Sequence, residues 1–169
     1  VSELRVRLQT AVERQMIADV PVGAFLSGGL DSSAIVAMAA RSVGHDNVRC
    51  FTIDTGGSVD AGTPDDLPYA RTAAKALNVR LEVLRADPVA MLDGLPGMLW
   101  SLDEPQADLA PLNVLAIARN ARQQGYKVLL SGAGGDDLCA GQMRHHALGA
   151  CPRLDVPRGG AGLGARDEP

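Results

Sequence analysis

Aromatic side chains are scarce, at 3% of the 169 residues, while Ala, Val, Leu and Gly abound. That balance points to a core of small aliphatic side chains such as parallel strands carry. The chain also lacks an excess of basic charge. Its net charge of -4 gives no general attraction to nucleic acid or to an anionic membrane surface. No apolar run approaches the roughly 20 residues of a membrane-spanning helix. No basic region followed by an apolar stretch opens the sequence, so no signal peptide is expected and the cytoplasm is the expected location. Paired cysteine motifs are missing too. Cys50, Cys139 and Cys151 are an odd number, widely spaced and without a CxxC. That pattern excludes a disulfide framework or a zinc site and predicts free thiols in a reducing compartment.

What is present is an alternation of apolar runs and helical periodicities, with 46% hydrophobic and 21% charged residues, in a length that suits one globular domain. Ser2 is placed to cap a helix carrying Leu4, Leu8, Ala11, Val12 and Met16. Strands are predicted at Val22–Leu26, Val48–Ile53, Val79–Leu84 and Lys127–Leu130. Helices are predicted from about Ser32 to Ser42, Asp65 to Leu77, Pro88 to Trp100 and Pro111 to Gln124, the last ended by Gly125. A further helix begins near Asp136, and Trp100 is expected in the core. Strands alternating with helices imply right-handed crossovers and an α/β fold, a parallel sheet with ligands beyond the carboxyl ends of its strands. The stretch from Cys151 to Pro169, rich in Gly and Pro and without apolar periodicity, is expected to be a disordered tail, leaving 1–150 as the domain.

Two glycine loops carry the chemistry. The first, Ser27-Gly28-Gly29-Leu30-Asp31-Ser32-Ser33, stands between a strand and a helix. Gly28 and Gly29 let the backbone approach an anion without a Cβ in the way. The helix start supplies unpaired N–H groups and partial positive charge, and the hydroxyls of Ser27, Ser32 and Ser33 are phosphate donors. Asp31 beside phosphates requires a cation between them, which points to Mg²⁺. The loop is neither a Walker A motif nor a GxGxxG fingerprint. The second loop is Ser131-Gly132-Ala133-Gly134-Gly135-Asp136-Asp137, whose carboxylates again ask for a cation. Arg144, His145 and His146 are read as a solvated helix end, because adjacent histidines on a helix point in different directions.

The first loop resembles the SGGxDS loop of the ATP-pyrophosphatase (PP-loop) superfamily, whose members cleave ATP to AMP and pyrophosphate. The segment from Val128 through Asp137 resembles the LLSGxGxDE segment of asparagine synthetases and of β-lactam synthetase. Asp65-Asp66-Leu67-Pro68-Tyr69-Ala70 is similar to that family's DE-x-x-x-A segment. Asp103-Glu104-Pro105 with Asp108 is similar to its DEP-x-x-D segment. The resemblance runs from about Ser2 to His146. It implies a parallel twisted sheet with helices on both faces, of the adenine-nucleotide α-hydrolase type.

Carried over residue by residue, it implies that Ser27, Gly28, Gly29, Asp31, Ser32 and Ser33 hold pyrophosphate, and that Asp31 and Asp136 bind Mg²⁺ with Asp137 in place of the family's Glu. Ser131 and Gly132 would contact the adenosine, Phe25 and Ile53 would line the adenine pocket, and Asp65 would lie near the nucleotide. ATP and Mg²⁺ are thus the implied cofactors. The implied reaction is ATP-dependent amide formation on an aspartate-like carboxylate, with ammonia from a glutaminase domain outside this chain. Two features depart from the family pattern. Ala133 stands where the family often has Glu, and the lysine-bearing segments beyond the second loop are not recognisable, Lys75 and Lys127 being the only lysines. A fragment, a truncated reading frame or a degenerate paralogue is therefore expected. Two alternatives stay open: a non-catalytic nucleotide-binding fragment or partner subunit, and another PP-loop ligase, β-lactam synthetase-like or tRNA-modifying.

Overall fold

The computed structural model describes residues 1–56, 65–104 and 110–139. The chain divides into two compact units, Val1–Ala133 and Gly134–Pro169. The described part of the second unit contains one short helix, α6 (Gly135–Leu138). All other elements belong to the first unit.

The first unit begins with α1 (Ser2–Gln15), followed by β1 (Val22–Phe25), α2 (Leu30–Val43), β2 (Arg49–Asp54), α3 (Leu67–Leu77), β3 (Arg80–Arg85), α4 (Pro88–Leu102), α5 (Ala110–Gln123) and β4 (Val128–Leu130). The four strands form one sheet in the order β3-β2-β1-β4, and every pair is parallel. From β1 the chain steps outward through β2 to β3, then crosses back to place β4 on the other side of β1. The order therefore reverses between β1 and β4, which in open α/β sheets is where a crevice forms beyond the strand ends.

Side-chain alternation assigns the two faces. Ala24 pairs with Cys50 and with Leu130 in register, and all three pack with Val36, Ala39 and Ala40 of α2, Ala74 of α3 and Val12 of α1. One residue along, Phe25 pairs with Phe51. These side chains, with Ile53 and Leu129, meet Ile117 and Ala121 of α5 on the opposite face. The Phe51 and Tyr126 rings lie edge to face, with centroids 5.3 Å apart. Gly23 makes room for this packing, since a Cβ there would stand 2.8 Å from Leu129 Cδ2 and 2.9 Å from Phe51 Cε2. Burial pushes the Cys50 thiol up to about 12, so it is an inert core group.

Helix boundaries agree with the periodicity to within a few residues, with three informative differences. Ser2 lies inside α1 rather than capping it; Val1 is the cap, with no side-chain hydrogen bond. Leu4 and Ala11 of the α1 stripe are exposed, and only Val12 is fully buried there. Trp100, expected in the core, is 87% exposed, and Met98 takes the buried position on α4. On a helix, positions two apart point in nearly opposite directions, so burying Met98 turns Trp100 outward. Arg144, His145, His146, Pro105, Asp108, Cys151 and the stretch 151–169 lie outside the described residues. No helix among the described residues is long and apolar enough to cross a membrane.

Candidate nucleotide site

The first glycine loop leaves the carboxyl end of β1 and enters α2. Gly28 is required there twice over. Its φ of +85° lies in the left-handed region, and a Cβ would stand 2.3 Å from the Tyr69 carbonyl carbon and 2.5 Å from Ala70 N. The loop is thus pressed onto the amino end of α3. Gly29 behaves differently. Its φ of -66° suits any residue, and a Cβ would meet only Ser27 Oγ, at 3.4 Å. Its missing side chain leaves open space in front of the backbone, the condition for close approach of a phosphate.

The loop hydroxyls are arranged as an internal network. The Ser27 hydroxyl accepts from Gly29 N at 3.3 Å and lies 3.1 Å from Ser32 Oγ. The Ser32 hydroxyl donates to the Gly29 carbonyl at 3.2 Å, so Ser27 is the donor between the two serines. Both groups hold the loop in shape. Gly29 at the cap of α2 has no side chain to serve the first turn, so the N–H groups of Leu30 and Asp31 remain as donors without an intrahelical acceptor, while Ser32 is buried. The Ser33 N–H is taken by the Gly29 carbonyl. The Ser33 hydroxyl is buried without a hydrogen-bond partner, alone in this among the described residues. An orphan hydroxyl of this kind costs about 1–3 kcal/mol. The one such group falls in the loop that the sequence assigns to phosphate. The Asp31 carboxylate sits half-buried in the first turn of α2.

The second loop follows β4, the strand paired with β1. Ser131 Oγ accepts from Ala133 N at 3.1 Å, tightening the turn. A Cβ on Gly132 would stand 2.7 Å from Ser32 N and 2.8 Å from the Asp31 carbonyl carbon. Gly132 therefore lies directly against the start of α2, and the structure brings Ser131 and Gly132 together with Ser27–Ser33 at the point where the strand order reverses. Phe25 and Ile53 are half-buried neighbours of Phe51 on the α5 face of β1 and β2. Asp65 acts locally, its carboxylate accepting from Leu67 N at 3.0 Å at the start of α3. The carboxyl of its neighbour Asp66 is raised above the usual carboxylate range, first by burial and then by the charge of Asp65.

In the second unit, Asp136 and Asp137 occupy the first turn of α6 after Gly134, whose φ is +87°. Asp136 Oδ1 accepts from Asp137 N at 3.0 Å. Among the described residues no three His, Cys, Asp or Glu side chains converge on a metal position. Magnesium held jointly with nucleotide phosphates needs only one or two carboxylates rather than an all-protein cage, and Asp31 in the first unit and Asp136 in the second are each oxygen donors of that type.

Sequence reasoning located both loops but missed two features of the site. It read the hydroxyls of Ser27 and Ser32 as phosphate donors without the hydrogen bonds that both make within the loop. It also gave no hint that Tyr69 and Ala70 close the space behind Gly28, because that contact joins segments far apart in the chain.

A model of the asparagine synthase family matches residues 3–163. The chain is 40% identical over 139 residues to a putative glutamine-hydrolyzing asparagine synthetase of Mycobacterium bovis, covering 82% of this chain and 20% of that protein. It is 34% identical over 160 residues to the glutamine-hydrolyzing asparagine synthetase 1 of Bacillus subtilis, covering 94% of this chain and 24% of that protein. The chain thus spans about a fifth to a quarter of the length of these relatives. Among solved structures, a glutamine-dependent NAD⁺ synthetase from Acinetobacter baumannii in complex with ADP superposes with a TM-score of 0.56. The match has 18% identity and covers 83% of this chain and 27% of that one. The parallel sheet with helices on both faces is therefore the PP-loop adenine-nucleotide α-hydrolase fold. The family match, which extends over nearly the whole chain, shows that the chain belongs to the asparagine synthase family.

Proposed function

We propose that the two glycine loops bind ATP with Mg²⁺ and that the site serves ATP-dependent amide formation on an aspartate-like carboxylate. The observation that carries this reading is the seating of Gly132 on the amino end of α2, with β1 and β4 adjacent. The ADP present in the structurally similar NAD⁺ synthetase and the names of the relatives support it. The loop of residues 27–33, with Gly28 at its turn, Gly29 open to the phosphate and the N–H groups of Leu30 and Asp31 as donors, would hold the β- and γ-phosphates; the hydroxyls of Ser27 and Ser32 would face them, and Ser33 would gain the partner its hydroxyl lacks. Asp31 and Asp136 are the proposed Mg²⁺ ligands, with Asp137 beside them. Phe25 and Ile53 would line the adenine, Ser131 and Gly132 would contact the adenosine, and Asp65 would act by holding the start of α3.

The chemistry is an exchange at the α-phosphorus. A substrate carboxylate oxygen attacks it, the bond to the bridging oxygen breaks, and pyrophosphate leaves with that bond's electron pair. Ammonia, supplied by a glutaminase domain, then attacks the acyl carbon of the adenylate. AMP departs and the nitrogen loses a proton, leaving the amide. Calorimetry with Mg-ATP tests the binding half. Asp31→Ala removes the cation ligand and Gly29→Val fills the open space, and each should weaken binding at least tenfold. Unchanged affinity in both would overturn the phosphate-loop assignment.

A second reading, binding without turnover, is favoured by the positions of the two lysines. Lys127 precedes β4 at the end away from the loops, about 13 Å along the strand from Ser131. Lys75 lies in the last turn of α3, about 9 Å along the helix axis from Tyr69. Neither stands where it would neutralise a leaving pyrophosphate. The loss of such a contact costs on the order of 3 kcal/mol in the transition state, or about a hundredfold in rate. A pyrophosphate-release assay on the 169-residue chain with aspartate and ammonia should show ATP bound and little pyrophosphate formed. Robust aspartate-dependent release would establish turnover in this chain instead.

A further inference from the structure

A well-defined cleft lies away from the glycine loops. It has a volume of about 270 Å³ and opens where β3 ends, between α4 and α5. Its walls are apolar, with Leu84, Met91, Leu112 and Leu115 among them, and two guanidinium groups, Arg85 and Arg119, stand on its lining. Arg119 is laid along α4 where that helix has no side chains. Cβ atoms on Gly94 and Gly97 would each stand 3.7 Å from its Nη1 and Nη2, respectively. The ion pairs among the described residues are Arg7 with Glu3 and Arg49 with Glu82, so neither cleft arginine has a carboxylate partner. The one acid on the lining, Asp87, caps α4 and makes no ion pair with either arginine. Its Oδ1 accepts from Val89 N at 3.0 Å and from Ala90 N at 3.4 Å, capping α4. Asn120 adds a further polar group to the same wall.

We infer that this cleft is a second binding site, for a small carboxylate with an apolar body. The carboxylate is met by Arg119 and Arg85, and the body lies against Leu84, Met91 and Leu112. An apolar pocket with a few convergent polar groups is the usual form of a small-molecule site. A guanidinium presents its N–H groups in the geometry a carboxylate accepts. The cleft also lies beyond the carboxyl end of a parallel strand, where such sheets place ligands. A bare phosphate would satisfy the charges and leave the apolar walls wet; a neutral chain would fill the walls and leave the charges unpaired. The site is independent of ATP at the glycine loops and stands whether or not those loops bind nucleotide.

The test uses the full 169-residue chain, isotopically labelled, with three probes: hexanoate, inorganic phosphate and hexanol. Hexanoate should move the amide resonances of residues 84–91 and 112–123 saturably and leave those of 27–33 in place. Phosphate and hexanol should each bind at least about tenfold more weakly. Arg119→Met should weaken hexanoate about tenfold or more, with Arg119→Lys recovering part of the loss. Ala116→Leu, which fills the cleft with an apolar group, should abolish hexanoate binding while Mg-ATP affinity stays unchanged. Arg85→Met provides a second charge variant of independent position. The inference is overturned if hexanoate moves none of these resonances at millimolar concentration. Phosphate or hexanol binding as tightly as hexanoate would overturn it too, as would Arg119→Met and Arg85→Met both keeping the parent affinity.

Discussion

The two faces of the sheet are built to different standards. On one, Val36 and Ala39 of α2 cover Ala24 of β1 and Cys50 of β2, all at or near zero exposure. On the other, the cluster against the sheet is Phe51, Ile117 and Ala121, and α4, although it buries Met98, leaves Leu92 and Trp100 mostly in solvent. The tight face holds the first glycine loop. Gly28 is wedged against α3 and Gly132 against α2, with distances that leave no room for a methyl group. A cradle of backbone N–H groups works only when its spacing is fixed, and packing is what fixes it. The looser face carries the open cleft, and a Pro96 within α4 removes one backbone hydrogen bond there.

The contrast breaks most sharply at Gly28. Gly28→Val places a branched side chain at positive φ and into the Tyr69 backbone. It should cost at least about 3 kcal/mol of stability, or displace α3. A denaturant midpoint close to the parent's would show that α3 is not pressed on the loop. Next in size, Val36→Ala opens a hole in the tight face and should cost about 2 kcal/mol. Trp100→Ala on the open face should stay within about 0.5 kcal/mol. Equal losses from the two substitutions would remove the distinction between the faces. The smallest effect concerns Asp66 at the start of α3. Its folded-state carboxyl is raised, by burial and then by Asp65, so the folded state favours its protonated form. Its contribution to stability is therefore present at acid pH and falls as pH rises through the carboxylate range. Asp66→Asn should flatten that part of the stability profile, and thermal melts across acid to neutral pH check it. An unchanged profile would mean that Asp65 and Asp66 do not interact as drawn.

The parallel sheet was legible because β1, β2 and β4 are short apolar runs ending in glycine or turn residues, and that pattern survives any tertiary context. Both glycine loops were legible for the same reason, since residue types at fixed spacing carry their chemistry locally. What was not legible depends on contacts between distant segments. Trp100 was expected inside because it is large and apolar, yet the helix has one inward face at that level and Met98 occupies it. The tie between Gly28 and Tyr69, the seating of Gly132 on Ser32 and the cleft beside Arg119 all join residues that no periodicity connects. The hydrogen bonds of Ser27 and Ser32 within the loop likewise depend on its three-dimensional turn rather than on residue type.

The central claim is that the loops after β1 and β4 form one nucleotide site because Gly132 lets them meet. Gly132→Ala is the direct probe, since its Cβ would stand 2.7 Å from Ser32 N and 2.8 Å from the Asp31 carbonyl carbon and must drive the loops apart. Mg-ATP titration by calorimetry, beside a thermal melt of the same protein, should show affinity reduced at least tenfold with the sheet still folded. Parent-like ATP affinity in folded Gly132→Ala would contradict the account, for it would mean that the nucleotide does not use the junction of the two loops.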